Sequence, residues 1–189
     1  GRVPAIDQLD LAAANVEAGD KGVAVNAYLQ STSNPKIYAA GDAADTQGAP
    51  LTPVAVFEGK VAASNMLKGN RTKPDYAGVP SAVFTVPELT RVGMLEEEAR
   101  EAGHDIRVVE NDTGDWYSNL RVGESCAATK VIIDKDSDTI LGAHLLGPEY
   151  GEIINFFGLA IRLGLTTSDL KKMVSVYPSV GSDLGSMLS

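Results

Sequence analysis

The chain has 189 residues and a single cysteine, so it cannot close an internal disulfide, and no CxxC redox pair exists. Cys126 stands between Ser125 and Ala127 and reads as a small packed residue. Histidine is nearly as scarce. Neither His104 nor His144 has a second His, Cys or carboxylate at metal-ligand spacing, so no metal site is expected. His104 follows Gly103 at a helix end, where a cationic side chain suits the dipole, and His144 falls in a strand, where it reads as outward-pointing. Positive charge is also short. Lys and Arg number 16 against 25 Asp and Glu, a net charge of −9. That argues against nucleic acid or an anionic membrane as partner, since both reward a basic surface. No long apolar run is present: the longest, "IINFFGLAI" (Ile153 to Ile161), is about half of the ~20 residues a bilayer span needs. No charged-then-apolar leader opens the chain. A soluble, reducing, cytoplasmic setting is expected. GxSxG, HExxH and a glycine-rich phosphate loop are all missing.

What is present is ordinary globular material, 44% hydrophobic and 22% charged, enough to bury a real core. "GVAVN" and "KIYAA" read as short strands. "LTPVAVFEGKVAASNMLKGN" reads as a helix from about Pro53 to Leu67, with Thr52 as N-cap and Gly69-Asn70 as the stop. "GNRTKPDYAGVP" is rich in Gly, Asn and Pro and marks a boundary between two units. Beyond it "SAVFT" reads as a strand, "LEEEAREAG" as a solvated helix, and "DIRVVEN" as a strand. Residues 129–134 and 139–146 then form an antiparallel hairpin. "PEYGEIINFFGLAIRLG" is a helix with apolar residues on most faces, and "TTSDLKKMV" is a short capped helix. The second unit thus reads β-α-β-β-β-α-α, an α+β arrangement. "DKDSD" opens like a calcium loop, but Thr139 and Leu145 stand where such a loop needs Gly and Glu, so a hairpin turn is the reading.

Two stretches carry chemistry. "NPKIYAAGDAAD" runs small residues into Gly41-Asp42, as a backbone lying close to a ligand hydroxyl would. "LTPVA" starts a helix at Pro53 and leaves the N–H groups of Thr52, Val54 and Ala55 free to face an anion or a carbonyl oxygen. One supplies a carboxylate and the other an electron-poor helix end. Together they suit an elongated ligand with hydroxyls in one part and an electron-accepting carbonyl in another.

Six stretches, "GRVPAID", "GVAVN", "PKIYAAGDAAD", "LTPVAVFEGKVAASNML", "AVFTVPELTRVGMLEEEA" and "ILGAHLLGPEYGEIIN", stand in one order. In that order the chain resembles the C-terminal part of the flavin-dependent pyridine nucleotide-disulfide oxidoreductases, among them glutathione reductase, dihydrolipoamide dehydrogenase and mercuric reductase. The resemblance implies an α/β and α+β chain. Residues 1–70 would be the C-terminal portion of a doubly wound FAD/NAD(P)-binding domain. Residues 71–78 would be a linker, and residues 79–189 an α+β dimerisation domain with an antiparallel sheet flanked by helices. It also implies FAD as cofactor and NAD(P)H as co-substrate of the parent protein. Asp42 would hold the ribityl chain beside Gly41, and Leu51, Thr52, Pro53 and Val54 would lie by the flavin pyrimidine ring. The missing phosphate loop would belong to an upstream segment, and the chain alone is expected to be inactive.

Partners implied are a second copy of the chain, in a homodimer, and the flavin. The helix carrying Ile153, Phe157 and Leu159 has more apolar surface than one sheet face covers. The chain departs from the family in "SVYPSVGSDLGSML". The family's catalytic His position holds Tyr177 and its Glu position holds Ser182. A Tyr titrating near 10 is a poor proton shuttle for a thiolate, so a non-disulfide acceptor such as a quinone or a metal ion is one expectation for the parent. The other reading, of a different class, is a cofactor-free dimerisation or interaction module.

Overall fold

The computed structural model describes residues 3–189, so Gly1 and Arg2 of the "GRVPAID" stretch lie outside the described residues. The chain divides into two compact units, Gly1–Tyr76 and Ala77–Ser189.

The first unit carries very short strands. β1 (Ala18–Gly19) and β2 (Gly22–Ala24) pair antiparallel, and β3 (Ala44–Asp45) joins β2 in parallel, Val23 opposite Ala44. Gly22, at φ +116°, lets the chain pass the Ala43 carbonyl, where a Cβ would sit 2.6 Å from its oxygen. "KIYAA" is not a strand. It makes one bridge, Tyr38 to Gln30, flanked by Ser31 N–H to Ile37 C=O at 2.9 Å and Ala39 N–H to Leu29 C=O at 3.0 Å. It has a partner on one side only, and over three residues, before Gly41 turns the chain away.

Helix α1 (Thr52–Lys68) has its N-cap at Leu51, so Thr52 is the first helical residue rather than the cap, and no side chain caps this end. Its inward stripe is Val54, Glu58, Val61, Ala62 and Asn65, spaced i, i+4, i+7, i+8, i+11 as one helix face requires. Val61 and Ala62 pack with Leu29, bordered by Val25, Tyr38, Ala40 and Phe57.

The second unit is a five-stranded sheet in the order β4-β5-β8-β7-β6, every neighbouring pair antiparallel. Its strands are β4 (Ser81–Val83), β5 (Glu88–Gly93), β6 (Ile106–Asp112), β7 (Ala128–Asp134) and β8 (Ile140–Gly147). β5 was not expected from sequence, because Pro87 stands immediately before it and Thr90 interrupts its inward apolar alternation.

Alternation sorts β7 between two cores. Val131 and Ile133 meet helix α4 (Tyr150–Leu163), while Ile132 meets Ala99 of helix α2 (Glu96–Glu101) on the other face. The unit also contains α3 (Tyr117–Leu120) and α5 (Thr167–Leu170), with Thr166 capping α5 by accepting from Asp169 N–H at 3.1 Å. "DKDSD" closes the β7–β8 turn, with Asp134 Oδ1 accepting from the amides of Asp136 and Ser137. His104 Nδ1 lies 2.8 Å from Asp134 Oδ2.

Two small expectations fail. Cys126 is exposed rather than packed. His144 is half-buried, its Nε2 3.1 Å from the Met94 carbonyl oxygen.

Candidate functional site

Gly41 begins a 3-10 turn, Gly41–Ala43, at φ +64°. Glycine is required twice over there. The backbone angle is left-handed, and a Cβ would stand 2.7 Å from the Ala55 Cβ in the first turns of α1. The Gly41-Asp42 turn is therefore pressed against the start of the helix, as the two sequence stretches taken together require. Gly41 and Asp42 line a cleft of about 440 Å³ with Ala44, Thr46 and Pro50, and the Asp42 side chain is exposed in it.

The helix-start residues Leu51, Thr52, Pro53 and Val54 do not line the cleft, whose lining passes from Pro50 to Glu58. Val54 is buried, its Cγ1 close beside Gly48. Ala55 N–H is not free, as it donates to Leu51 C=O at 2.9 Å. Helix geometry leaves the N–H groups of Thr52 and Val54 without intrahelical acceptors, Pro53 having none to offer.

The cleft has a buried floor that the sequence reading did not find. Glu58 is wholly buried. Its Oε2 accepts from Gly41 N–H at 2.6 Å, and its Oε1 accepts from the hydroxyls of Thr46 at 2.8 Å and Tyr76 at 2.6 Å. Burial, followed by the hydrogen bond to Glu58, pushes the Tyr76 phenol up to about 12. Gly48 packs so close that a Cβ would sit 2.6 Å from Glu58 Oε1. Asn65 is the second buried polar group of the same stripe. It donates to the carbonyls of Tyr28 and Thr72 and accepts from the amides of Arg71 and Thr72. A Glu in a helix reads as solvated. The available signal was its spacing, which sets it in one stripe with Val54, Val61 and Ala62.

Within the second unit, Tyr177 is 75% exposed and stacks on Tyr117, ring centroids 6.4 Å apart and planes at 20°. Ser182 does not reach it, because the Ser182 hydroxyl donates to the Ser179 carbonyl of its own turn. Asp183, the next residue, accepts instead from the Ser118 hydroxyl. The two positions are thus not a coupled pair within this chain.

Residues 79–187 match the family model described as the pyridine nucleotide-disulphide oxidoreductase dimerisation domain. The chain belongs to this family. It is 52% identical over 180 residues to an uncharacterized 19.7 kDa protein in a mercuric resistance operon of Staphylococcus aureus, covering 95% of this chain and 100% of that one. It is 35% identical over 188 residues to the chloroplastic/mitochondrial glutathione reductase of Pisum sativum, covering 99% of this chain and 34% of that one. Among solved structures, it is similar to the Cu(II) complex of an HOCl-induced flavoprotein disulfide reductase from Escherichia coli. There the TM-score is 0.89 and the identity 31%, over 99% of this chain and 42% of that one. The chain thus spans about a third of the pea reductase and less than half of the E. coli one. The five-stranded antiparallel sheet with flanking helices is the family's dimerisation fold, and the match over it begins two residues after the second unit does.

Proposed function

We propose that this chain supplies the C-terminal part of an FAD-dependent, NAD(P)H-consuming oxidoreductase, contributing one portion of the flavin site and the homodimer interface. Residues 1–70 belong to the FAD/NAD(P)-binding domain in this reading, 71–78 connect, and 79–189 dimerise. The observation that carries it is the Gly41-Asp42 turn pressed against the start of α1 at the edge of an open cleft. The residues present fit a flavin. Asp42 offers a solvent-facing carboxylate for ribityl hydroxyls, Gly41 brings backbone close without a side chain, and α1 offers electron-poor N–H groups. Bound FAD would supply the two-electron chemistry. The chain's own residues would hold its hydroxyls, through Asp42, and favour negative charge on its ring, through the free amides of Thr52 and Val54.

The dimer reading draws support from α4. Its inward face is buried, yet Phe156, Leu159 and Leu163, spaced i, i+3, i+7, are exposed at 39%, 52% and 61%. An apolar second face on a family dimerisation domain suits a two-fold contact. Tyr177 in place of a general-acid His suits an acceptor other than a small disulfide, such as a quinone or a metal ion.

The second reading is a cofactor-free dimerisation module, for which the match of residues 79–187 to a dimerisation domain speaks. Titration of the purified chain with FAD, followed by flavin fluorescence, separates the two. Saturable quenching, reduced by Asp42→Ala by about tenfold in affinity, supports the flavin reading. An unquenched flavin at hundred-micromolar protein would leave the module reading. Light scattering at micromolar concentration should give twice the chain mass in both cases, and a monomer would overturn the dimer.

A further inference from the structure

We propose that Glu58 is the positioning residue of the cleft, fixing the backbone that presents Asp42. The inference rests on the flavin reading for its ligand but not for its geometry. Two stretches distant from Glu58 in sequence converge on its carboxyl group: one gives the Gly41 amide and the Thr46 hydroxyl, the other the Tyr76 hydroxyl. Glu58 is 0% exposed, and a carboxyl group held away from water is costly unless donors satisfy it. Two of the donors, Gly41 and Thr46, line the cleft themselves, and none of the three belongs to the buried apolar cluster of Leu29, Val61 and Ala62.

The consequences follow along the chain. The Gly41 amide is the first N–H of the turn, so holding it sets the direction in which Asp42 leaves the backbone. Thr46 lines the same cleft, and its hydroxyl also accepts from Gly48 N–H at 3.1 Å. Tyr76 braces the carboxyl group from the far end of the unit, with its ring edge-on to Phe57 at 6.5 Å. An apolar residue at position 58 would serve packing as well as Val61 does three residues later. A carboxyl group there, and three donors aimed at it, serve orientation. Glu58 touches no ligand hydroxyl in this account. It acts through Gly41.

The test uses the whole chain, whose 19.8 kDa suits amide exchange measured by NMR. Glu58→Met removes both acceptors at similar volume, and Glu58→Gln keeps one. Glu58→Met should speed exchange at Gly41 by at least about tenfold and weaken FAD binding by a similar factor. Exchange at Leu29, in the apolar cluster, should stay within about twofold. Glu58→Gln should land between, near threefold in both readouts. Asp42→Ala should weaken FAD without altering exchange at Gly41. If Glu58→Met speeds Leu29 as much as Gly41, the residue only holds the unit together and the proposal falls. It falls equally if Gly41 exchange is unchanged. Should Glu58→Met not fold, Glu58→Gln decides, and wild-type exchange at Gly41 in that variant overturns the idea. If wild-type protein binds no FAD, the flavin reading fails while the exchange comparison still judges Glu58.

Discussion

The two units are held together by different means. In the second, seventeen buried side chains from four strands, α4, α5 and the C-terminal turns form one cluster, from Val92 to Leu188. In the first, the corresponding cluster is Leu29, Val61 and Ala62, and the strands are two or three residues long. What the first unit lacks in apolar burial it replaces with directed polar contacts. Glu58 gathers three donors, Asn65 makes four hydrogen bonds, and Tyr38, Asn70 and Gln30 form a chain, with Tyr38 Oη to Asn70 at 2.7 Å and Asn70 to Gln30 at 2.7 Å. Apolar burial is non-directional and tolerates substitution of like volume, whereas hydrogen bonds fix angles. A cleft with a fixed lining needs the second kind of order, and a sheet packed on a helix is well served by the first.

The largest expected effect tests the apolar side. Phe157 is fully buried where α4 crosses the sheet. Phe157→Ala should cost the second unit about 3–5 kcal/mol. Trp116, the chain's one tryptophan, packs against that cluster and reports its unfolding by fluorescence in denaturant. The contrast sharpens if amide signals of Leu29 and Val61 stay folded while Trp116 reports unfolding. It breaks if both units melt together.

Next comes the polar side. Asn65→Ala leaves the carbonyls of Tyr28 and Thr72 and the amides of Arg71 and Thr72 without their side-chain partner. A loss of roughly 1–3 kcal/mol, confined to the first unit, is expected from buried groups left unpaired. Thermal unfolding followed through tyrosine absorbance would measure it. A loss below about 0.5 kcal/mol would mean that water replaces the amide and that the polar scaffold contributes little.

The same contrast decides what could be read from the sequence. Elements built on apolar period were legible: α4, the β7–β8 hairpin and β6 lie where their patterns put them. β5 was not, because Thr90 occupies an inward position and finds the Leu145 carbonyl at 3.4 Å instead of an apolar neighbour. In the first unit, "KIYAA" has β-forming residues but no second partner strand, and pairing rather than propensity makes a strand. The Gly41-Asp42 turn and the helix start were legible as local structure, since a glycine after small residues and a proline at a helix start leave marks in sequence. Glu58 was illegible as a residue type and visible only as a position on a helix face.

A smaller effect probes the short helices of the second unit. Thr166 caps α5 by accepting from Asp169 N–H, while its own amide donates to the Asp169 carboxyl at 3.2 Å. Thr166→Ala should cost about 1 kcal/mol, read as a shift of the Trp116 unfolding midpoint. A shift as large as that of Phe157→Ala would show that α5 anchors the cluster rather than decorating it.

The smallest effect lies in pH, and it concerns the one polar group inserted into the apolar unit's central strand. In β8, His144 stands opposite Arg91 on one side and Lys130 on the other. Burial, with these two cations adding to it, lowers the His144 pKa from its ordinary 6.5. The folded state therefore binds the proton less readily than the unfolded chain. Below pH 6.5 the unfolded chain takes up a proton that the folded one declines, so stability falls as pH drops, and it is fully present above 6.5. Lower still, Asp134 and Asp169 lose their contribution as pH falls from their ordinary 3.8 toward about 2. The Ser137 amide holds the first of these carboxyls down, and Lys172 the second. The upper window opens at 6.5 and the lower at 3.8, so a series of unfolding midpoints against pH shows where each begins. His144→Gln should flatten the upper step and leave the lower one. If the upper step survives that substitution, the acid sensitivity belongs elsewhere, and the second unit's order is as purely apolar as its core suggests.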